Sequence, residues 1–92
     1  MFIEWNEMKA VLNFNKHKIS FDEAQTVFGD QLSETYDDPE HSIDEQRYIT
    51  IGKSQVGRVL IISHQDQNDV IRIISARKPT PAERKKYEES GY

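Results

Sequence analysis

The first third of the chain has apolar residues at helical spacing. A stripe of residues at three- and four-residue intervals predicts a helix over 7–16, with Asn6 as its N-cap. The stripe consists of Met8, Val11, Leu12 and Asn15. The apolar residues of Phe2–Trp5, which precede the cap, indicate a short strand.

Two capping motifs mark further helices. Ser20 and Glu23 match a capping box, in which the serine accepts a hydrogen bond from the N3 amide and the glutamate reaches back to the cap. They predict a second helix over 21–28, whose apolar residues at helical spacing indicate packing against a core. The same arrangement at 80–83, with proline at the first helical position, predicts a last helix over 81–89.

Between these helices, β-branched residues become frequent, which is typical of β-strands. Four strands are predicted, at 32–36, 47–51, 59–63 and 70–76. A glycine-bounded turn over 52–57 and a polar turn over 65–69 join the last three strands. Connections as short as these favour an antiparallel meander.

Length and composition narrow the class of protein. The chain has 92 residues, which predicts a single domain over 1–92, and it has no cysteine, which excludes disulfides, thiolate metal ligands and cysteine nucleophiles. The longest apolar run, 59–62, is far shorter than the roughly 20 residues of a membrane helix. The beginning of the sequence has neither the basic region nor the apolar core of an export signal. We therefore expect a cytoplasmic protein without membrane contact.

Charge is divided unevenly between the two halves of the chain. Residues 1–46 contain three bases and eleven acids, whereas residues 47–92 contain nine bases and five acids, within a net charge of −4. Such asymmetry permits a basic patch on an acidic body, as in proteins that bind RNA or DNA. Mixing of both signs on the folded surface is an equally simple interpretation.

Four arginines on the predicted strands are the candidate phosphate ligands, because a guanidinium is permanently charged and offers a planar fork of donors. They are Arg47, Arg58, Arg72 and Arg77. By strand alternation, Arg72 and Arg77 point to opposite faces of the sheet unless a bulge intervenes. The structural alternative for each arginine is a surface position or a salt bridge to an acid such as Glu83.

The three histidines offer weaker signals. His17 lies near the end of the first predicted helix, where the helix dipole favours its protonated form. His41 lies among acidic residues, but their spacing matches no recognised metal motif, and a solvated acidic loop is the simpler interpretation. His64 lies beside the polar turn and is expected to be exposed.

The sequence resembles the BrnT-type toxins of type II toxin–antitoxin systems along nearly its whole length. The residues that carry the resemblance are 16–24 with Val27, Phe28 and Asp30, 38–42 with Glu45 and Arg47, 51–52 with 57–58, and 71–77 with Glu83, Arg84 and Tyr87. One departure is Lys18, at a position where the family commonly has glycine to leave the helix. A second departure is the polar character of 63–69.

The resemblance implies a fold, an activity and partners. The implied fold class is α+β, a small RelE-like domain in which two N-terminal helices pack on an antiparallel sheet and a C-terminal helix follows. The implied activity is an endoribonuclease that cleaves cellular RNA and arrests growth. The implied partner is a BrnA-type antitoxin, in a heterotetramer built on an antitoxin dimer, and operator DNA is contacted only through that antitoxin.

Metal-independent RNA cleavage requires the ribose 2′-hydroxyl to attack the adjacent phosphate, so the protein must orient the backbone, stabilise negative charge and transfer protons. No metal or other cofactor is expected. Arginine stays protonated and is a poor base, so proton transfer falls to His17, Glu45, His41, a lysine or solvent. The predicted catalytic residues are His17, Arg58, Arg72, Arg77 and Glu45, and the predicted substrate-binding residues are Lys16, Arg47, Lys53 and Lys78.

A second function is also compatible with the sequence. The basic residues at the rim of the sheet can dock an acidic partner, in which case the chain is a non-catalytic interaction module that acts through a DNA-binding protein.

Overall fold

A computed structural model describes residues 1–41 and 46–90 of the chain. Its core is a five-stranded sheet accompanied by three α-helices. In chain order the elements are β1 (Phe2–Trp5), α1 (Glu7–His17), α2 (Phe21–Gln25) continued by a 3₁₀ turn (Thr26–Gly29), β2 (Glu34–Asp37), a 3₁₀ turn (Pro39–His41), β3 (Arg47–Lys53), β4 (Val59–Gln67), β5 (Val70–Arg77) and α3 (Pro81–Ser90). The strand order in the sheet is β1-β5-β4-β3-β2.

The sheet confirms the α+β class and the antiparallel meander of β2 to β5, and it adds one parallel pair. β1 lies beside β5 in parallel, with Phe2 opposite Val70 and Trp5 opposite Ile73. Short turns dictate the direction of strands that follow one another. They carry no information on β1, because most of the domain separates it from β5 along the chain.

One face of the sheet is packed against α1 and α2, and we call it the helical face. The strands contribute Leu60 and Ile62 from β4, and Ile73 and Ala76 from β5. The helices and the segment between them complete this core with Ile19, Phe21, Ala24 and Val27. These residues are almost fully buried, so the predicted inward packing of the second helix is confirmed.

The apolar stripe predicted on α1 faces solvent. Met8, Val11 and Leu12 are exposed, whereas Ala10 packs against the core and Asn13 is buried. An amphipathic stripe in a globular protein usually faces the core. Here the inward positions are a small residue and an amide, and the large apolar side chains lie on the opposite side of the helix.

Asn13 is buried because its side chain completes the edge of the sheet. β1, which pairs with β5, ends opposite Ile73. Beyond that point the Asn13 side chain forms hydrogen bonds with the backbone of Ala76 in β5. The Asn13 amide nitrogen donates to the carbonyl oxygens of Ala76 at 2.9 Å and Ile19 at 3.0 Å, and its oxygen accepts from the Ala76 N–H at 3.0 Å. All these buried polar groups are thereby satisfied.

Two backbone positions have special requirements. Lys18 ends α1 in the left-handed conformation, at φ 59°, and its N–H donates to the Phe14 carbonyl. This is the conformation that glycine adopts most readily. Lys18 therefore has the backbone conformation that is typical of a glycine at the end of a helix. Gly52 in β3 has no room for a side chain, because a Cβ atom there would lie 2.8 Å from Val27 Cγ1.

Candidate functional site

A β-bulge in β5 determines which way its arginines point. Ser63 of β4 lies opposite Ser75, but the next residue, His64, lies opposite Ile73, so Ile74 is an extra residue without a counterpart. An inserted residue reverses the alternation of side chains that follow it. Arg72 and Arg77 therefore lie on the same face, which is the exception that the sequence prediction had allowed.

This face is opposite the helical face and carries a row of polar side chains across four strands. The register places Glu4 opposite Arg72, Arg72 opposite Gln65, and Gln65 opposite Arg47. Directly opposed residues point to the same side of a sheet, and two strand spacings put the backbones of Arg72 and Arg47 about 10 Å apart. Gln65 lies between the two arginines.

α3 covers the other end of the same face. Tyr87 of α3 is buried against Ile51, Val59 and Ile61, and its hydroxyl donates to Asp30 Oδ2 at 2.5 Å. Burial, reinforced by the bond to Asp30, raises the pKa of Tyr87 to about 12, so the phenol stays protonated and continues to donate. The uncovered part of the face, which we call the arginine face, consists of Arg47, Ser63, Gln65, Arg72 and Ser75, with Arg77 at its border.

Arg77 is held by α3 at that border. Its two terminal nitrogens donate to the two Glu83 oxygens at 2.9 and 3.0 Å, in a bidentate pair. The hydrogen bond from Arg77 lowers the pKa of Glu83 to about 2, against the opposing effect of burial. Glu83 also accepts the Thr80 N–H at 2.8 Å, so this carboxylate joins the helix cap to the arginine. The salt bridge considered from the sequence is confirmed.

Arg58 lies on the helical face and is separated from the arginine face by the sheet. Its Nε and one terminal nitrogen donate to Glu23 at 2.8 and 2.6 Å, and Ser54 donates to the same carboxylate. The hydrogen bond from Arg58 lowers the pKa of Glu23, although burial opposes this shift. The structure therefore does not bring Arg58 together with Arg72 and Arg77, because Arg58 shares strand parity with the buried residue Leu60.

The capping box at α2 is formed only in part. Ser20 Oγ accepts the Glu23 N–H at 3.0 Å, as predicted, but the Glu23 side chain is engaged by Arg58 and does not reach back. A charge-assisted bidentate pair is stronger than a single hydrogen bond to a backbone amide. At α3 both halves are formed, because Glu83 N–H also donates to Thr80 Oγ1 at 3.2 Å.

The other candidate residues are distributed around the sheet. Lys16 and His17 line a cleft of about 220 Å³ where α1 meets the open edge of β5, next to Ser75. Lys53 is exposed at the end of β3 remote from Arg47, and Lys78 is exposed just beyond β5. Glu45 lies outside the described residues.

The prediction that His64 is exposed is wrong. β4 continues to Gln67, so the predicted turn over 65–69 shortens to its last residues, and His64 is only 1% exposed on the helical face. Its Nε2 lies 2.7 Å from Thr50 Oγ1 and its Nδ1 lies 2.6 Å from Asp66 Oδ1. Burial lowers the pKa of His64, and Asp66 opposes this shift. The parity that His64 shares with Leu60 was the signal for its burial.

Two kinds of feature are absent from residues 1–41 and 46–90. No helix there is both long and apolar enough to cross a membrane. In the same part of the chain, no group of three or more histidine, aspartate or glutamate side chains is arranged to hold a metal ion. The acidic segment that follows His41 lies outside the described residues.

Comparisons with known proteins place the chain in a family. A family model described as the ribonuclease toxin BrnT of type II toxin–antitoxin systems matches residues 5–83. The crystal structure of the Brucella abortus ribonuclease toxin BrnT has the same fold, with a TM-score of 0.68 and 19% sequence identity over 87% of this chain and 97% of that chain. No curated protein sequence matches. Because the family model covers most of the chain, the chain belongs to the BrnT family of ribonuclease toxins of type II toxin–antitoxin systems.

Proposed function

We propose that the chain is an endoribonuclease whose substrate RNA lies across the arginine face. The observation that carries the proposal is the bulge at Ile74, which turns Arg72 and Arg77 to the same side as Arg47. Three guanidinium groups on one rigid sheet suit a polyanionic backbone, because phosphate contacts supply most of the affinity for nucleic acid. The net negative charge of the protein does not oppose this, since the first half of the chain contains most of the acids.

Arg72 is the best-placed phosphate ligand of the three. It is exposed, and among the described residues it has no salt bridge, whereas Arg77 is held by Glu83 and Arg47 is only partly exposed. Its neighbours Gln65 and Glu4 lie in the same row of the sheet. Gln65 can donate to a phosphate or a base, and Arg72 can offer its planar fork without first breaking an ion pair.

Arg77 supports the same site from the border. The pair with Glu83 fixes the guanidinium. One of its two terminal nitrogens, Nη1, donates both to Glu83 and to the Lys78 carbonyl, the latter at 3.2 Å. No hydrogen bond among residues 1–41 and 46–90 uses the Nε–H of Arg77, and we propose that this group contacts the substrate. A donor positioned before the substrate arrives stabilises developing charge without reorganisation.

The reaction that fits this site is an internal transesterification. The 2′-oxygen of the RNA forms a bond to the adjacent phosphorus and the bond to the 5′-oxygen breaks, which gives a 2′,3′-cyclic phosphate and a 5′-hydroxyl end. A base accepts the 2′-hydroxyl proton and an acid donates a proton to the 5′-oxygen. Because the nucleophile belongs to the substrate and arginines can balance the phosphorane charge, we propose that the reaction is metal-independent.

His17 is our candidate for proton transfer, with Lys16 as a phosphate contact beside it. Both line the cleft that reaches Ser75 at the edge of the arginine face, so a strand of RNA on that face passes close to them. Glu45 stays a candidate base from the sequence. Lys78, exposed beyond β5, can extend the phosphate track, whereas Lys53 lies about 20 Å along β3 from Arg47 and would contact a more distant nucleotide.

The partners proposed from the family complete this function. A BrnA-type antitoxin would bind the chain, in a heterotetramer built on an antitoxin dimer, and would carry the contact with operator DNA. The toxin itself would act on cellular RNA in the cytoplasm.

Purified protein tests the proposal directly. We expect the wild type to cleave RNA in the presence of EDTA, and Arg72→Ala to reduce the cleavage rate about 100-fold, the usual loss for one charge-stabilising donor. Arg84→Ala is the matched control, because Arg84 is exposed on α3 and pairs with the exposed Glu88. Equal rates for the Arg72→Ala and Arg84→Ala proteins would exclude the arginine face as the site. Intact RNA in all conditions, with tight binding of a neighbouring gene product, would favour the non-catalytic interaction module.

A further inference from the structure

The solvent side of α1 carries four exposed apolar side chains. Met8, Val11, Leu12 and Phe14 are exposed by 72, 58, 61 and 48%, and they follow one another along the same two turns of the helix. Single exposed apolar residues are common, but a contiguous group of this kind in a small protein marks an interaction site. The inward side of α1 carries Ala10 and Asn13, so the amphipathic order of this helix is reversed relative to the core.

A groove beside these four exposed side chains has a defined shape and charge. It has a volume of about 350 Å³, and Trp5, Val11, Phe14 and Phe21 give it apolar walls. The Trp5 and Phe21 rings pack edge to face at 6.0 Å. The charged residues that line it are Glu7 and Asp22, and within the described part of the chain no basic side chain lines it. Glu7 is held at the rim by the hydrogen bond that its Oε1 accepts from Trp5 Nε1 at 3.1 Å.

The exposed side chains Met8, Val11, Leu12 and Phe14, together with this groove, are called the α1 surface. We propose that the α1 surface receives a segment of the antitoxin that has apolar side chains flanked by lysine or arginine. The existence of an antitoxin rests on the proposed function. The chemistry of its segment is inferred from the apolar and acidic residues of the α1 surface. Apolar side chains would cover Val11 and enter the groove, while basic groups would lie against Glu7 and Asp22.

The position of the α1 surface explains how such a segment would inhibit the toxin. Leu12 belongs to the exposed stripe and also lines the cleft that contains Lys16, His17 and Ser75. A segment seated on Leu12 therefore covers the entrance to this cleft from the helix side. The antitoxin blocks proton transfer and substrate access at the sheet edge without having to displace the Arg77–Glu83 pair.

A matched pair of variants tests the proposal. Val11→Glu places a carboxylate in the centre of the α1 surface, and Val56→Glu makes the same change at a residue 74% exposed in the turn between β3 and β4. The probe is the protein encoded by the adjacent reading frame, titrated calorimetrically against each variant of the full chain. We expect Val11→Glu to weaken binding about 30-fold or more, the effect of losing one hot-spot residue, and Val56→Glu to bind like the wild type.

RNA cleavage by the same three proteins separates this proposal from the proposed function. Weakened binding by Val11→Glu with wild-type cleavage gives a toxin that escapes neutralisation, as expected. Wild-type affinity of Val11→Glu overturns the docking site, and so does an adjacent gene product that fails to bind the wild type. If no variant cleaves RNA but Val11→Glu still loses binding, the ribonuclease proposal fails and the docking site stands. A wild-type dimer that Val11→Glu dissociates in sedimentation would assign the α1 surface to a second copy of this chain and would overturn the antitoxin assignment.

Discussion

The two faces of the sheet use the same residue type for different purposes. On the helical face, Arg58 is part of a bidentate pair with Glu23, whose side chain is only 11% exposed. On the arginine face, Arg72 is exposed and no described residue forms a salt bridge with it. A guanidinium paired with a nearly buried carboxylate is required by the fold, because breaking the pair would leave a buried charge without a partner. A guanidinium that points into solvent is available to a ligand. The two roles are distinguished by a nearly buried acidic partner, which Arg58 has in Glu23 and which Arg72 lacks among the described residues.

The polar residues of the two faces differ in the same way. On the helical face, Thr35, Thr50 and His64 form a chain of hydrogen bonds across three strands, with both hydroxyl-to-hydroxyl and hydroxyl-to-imidazole distances at 2.7 Å. Phe28 packs edge to face on the His64 ring, with 5.0 Å between the ring centroids. Burial favours the neutral imidazole, so His64 serves as a hydrogen-bonding element of the core. On the arginine face, Ser63 and Ser75 remain partly exposed beside the arginines.

The largest expected effect comes from Asn13→Ala, which removes the side chain that holds the edge of β5. The Ala76 N–H and the carbonyl oxygens of Ala76 and Ile19 would lose their buried partner. We expect the free energy of unfolding to fall by about 3 kcal/mol, measured by urea denaturation. The exposed Asn15→Ala on the same helix should change it by less than about 0.5 kcal/mol. Equal stability of the two variants would show that Asn13 does not secure the strand that carries Arg77.

A smaller effect separates the two faces directly. Glu23→Ala removes the two hydrogen bonds from Arg58 and the one from Ser54. It should lower the free energy of unfolding by about 2 kcal/mol in urea denaturation, a value reduced because Arg58 is partly exposed. RNA cleavage by the folded protein should persist. Arg72→Ala should do the reverse, with stability within about 0.5 kcal/mol of the wild type and a cleavage rate reduced about 100-fold. Loss of cleavage in folded Glu23→Ala would instead make the Arg58 pair part of the catalytic machinery.

The smallest effect is a pH dependence at the border of the arginine face. The Glu83 pKa falls from its ordinary value of 4.5 to about 2, so the folded state binds this proton less readily than the unfolded chain. The resulting stabilisation is present above pH 4.5 and is lost as the pH falls towards 2. We expect about 1 kcal/mol, since the Glu83 side chain is 34% exposed and solvent screens the pair.

Denaturation of the wild type and of Glu83→Gln between pH 6 and 2.5 measures this contribution. The stability difference between the two proteins should shrink as the pH falls. Glu88→Gln is the control, because its pair with Arg84 is exposed and should contribute little at any pH. A constant difference between the wild type and Glu83→Gln would mean that the carboxylate charge does not stabilise this border.

Local signals predicted most of the secondary structure. The N-cap of α1 is formed by Asn6, whose side chain accepts the Lys9 N–H at 3.0 Å, and the Thr80 cap begins α3 at Pro81 as expected. These signals involve residues three or four positions apart, so they can be recognised from the sequence without knowledge of the fold. The end of β4 was underestimated because polar residues at 65–67 resemble a turn, while their strand conformation comes from pairing with β5.

The candidate site was only partly accessible from the sequence. The arginines of β5 were identified, and the roles assigned to Arg72, Arg77 and His17 remain predictions for the experiments above. Their common location could not be predicted, because strand parity gives opposite faces and the bulge at Ile74 appears only in the pairing of two strands. The buried role of Asn13 was also missed, since its partner Ala76 lies 63 residues away.

The sequence by itself therefore determined the helices, the strands of the meander and the concentration of arginines in the second half of the chain, because periodicity, caps and short turns are local. Only the tertiary structure decided which arginines share a face, which carboxylates neutralise them and which side of α1 meets solvent. A single extra residue reverses a strand's parity, and an ion pair between residues 35 positions apart redirects a glutamate from its cap. Such outcomes depend on contacts that exist only once the chain has folded.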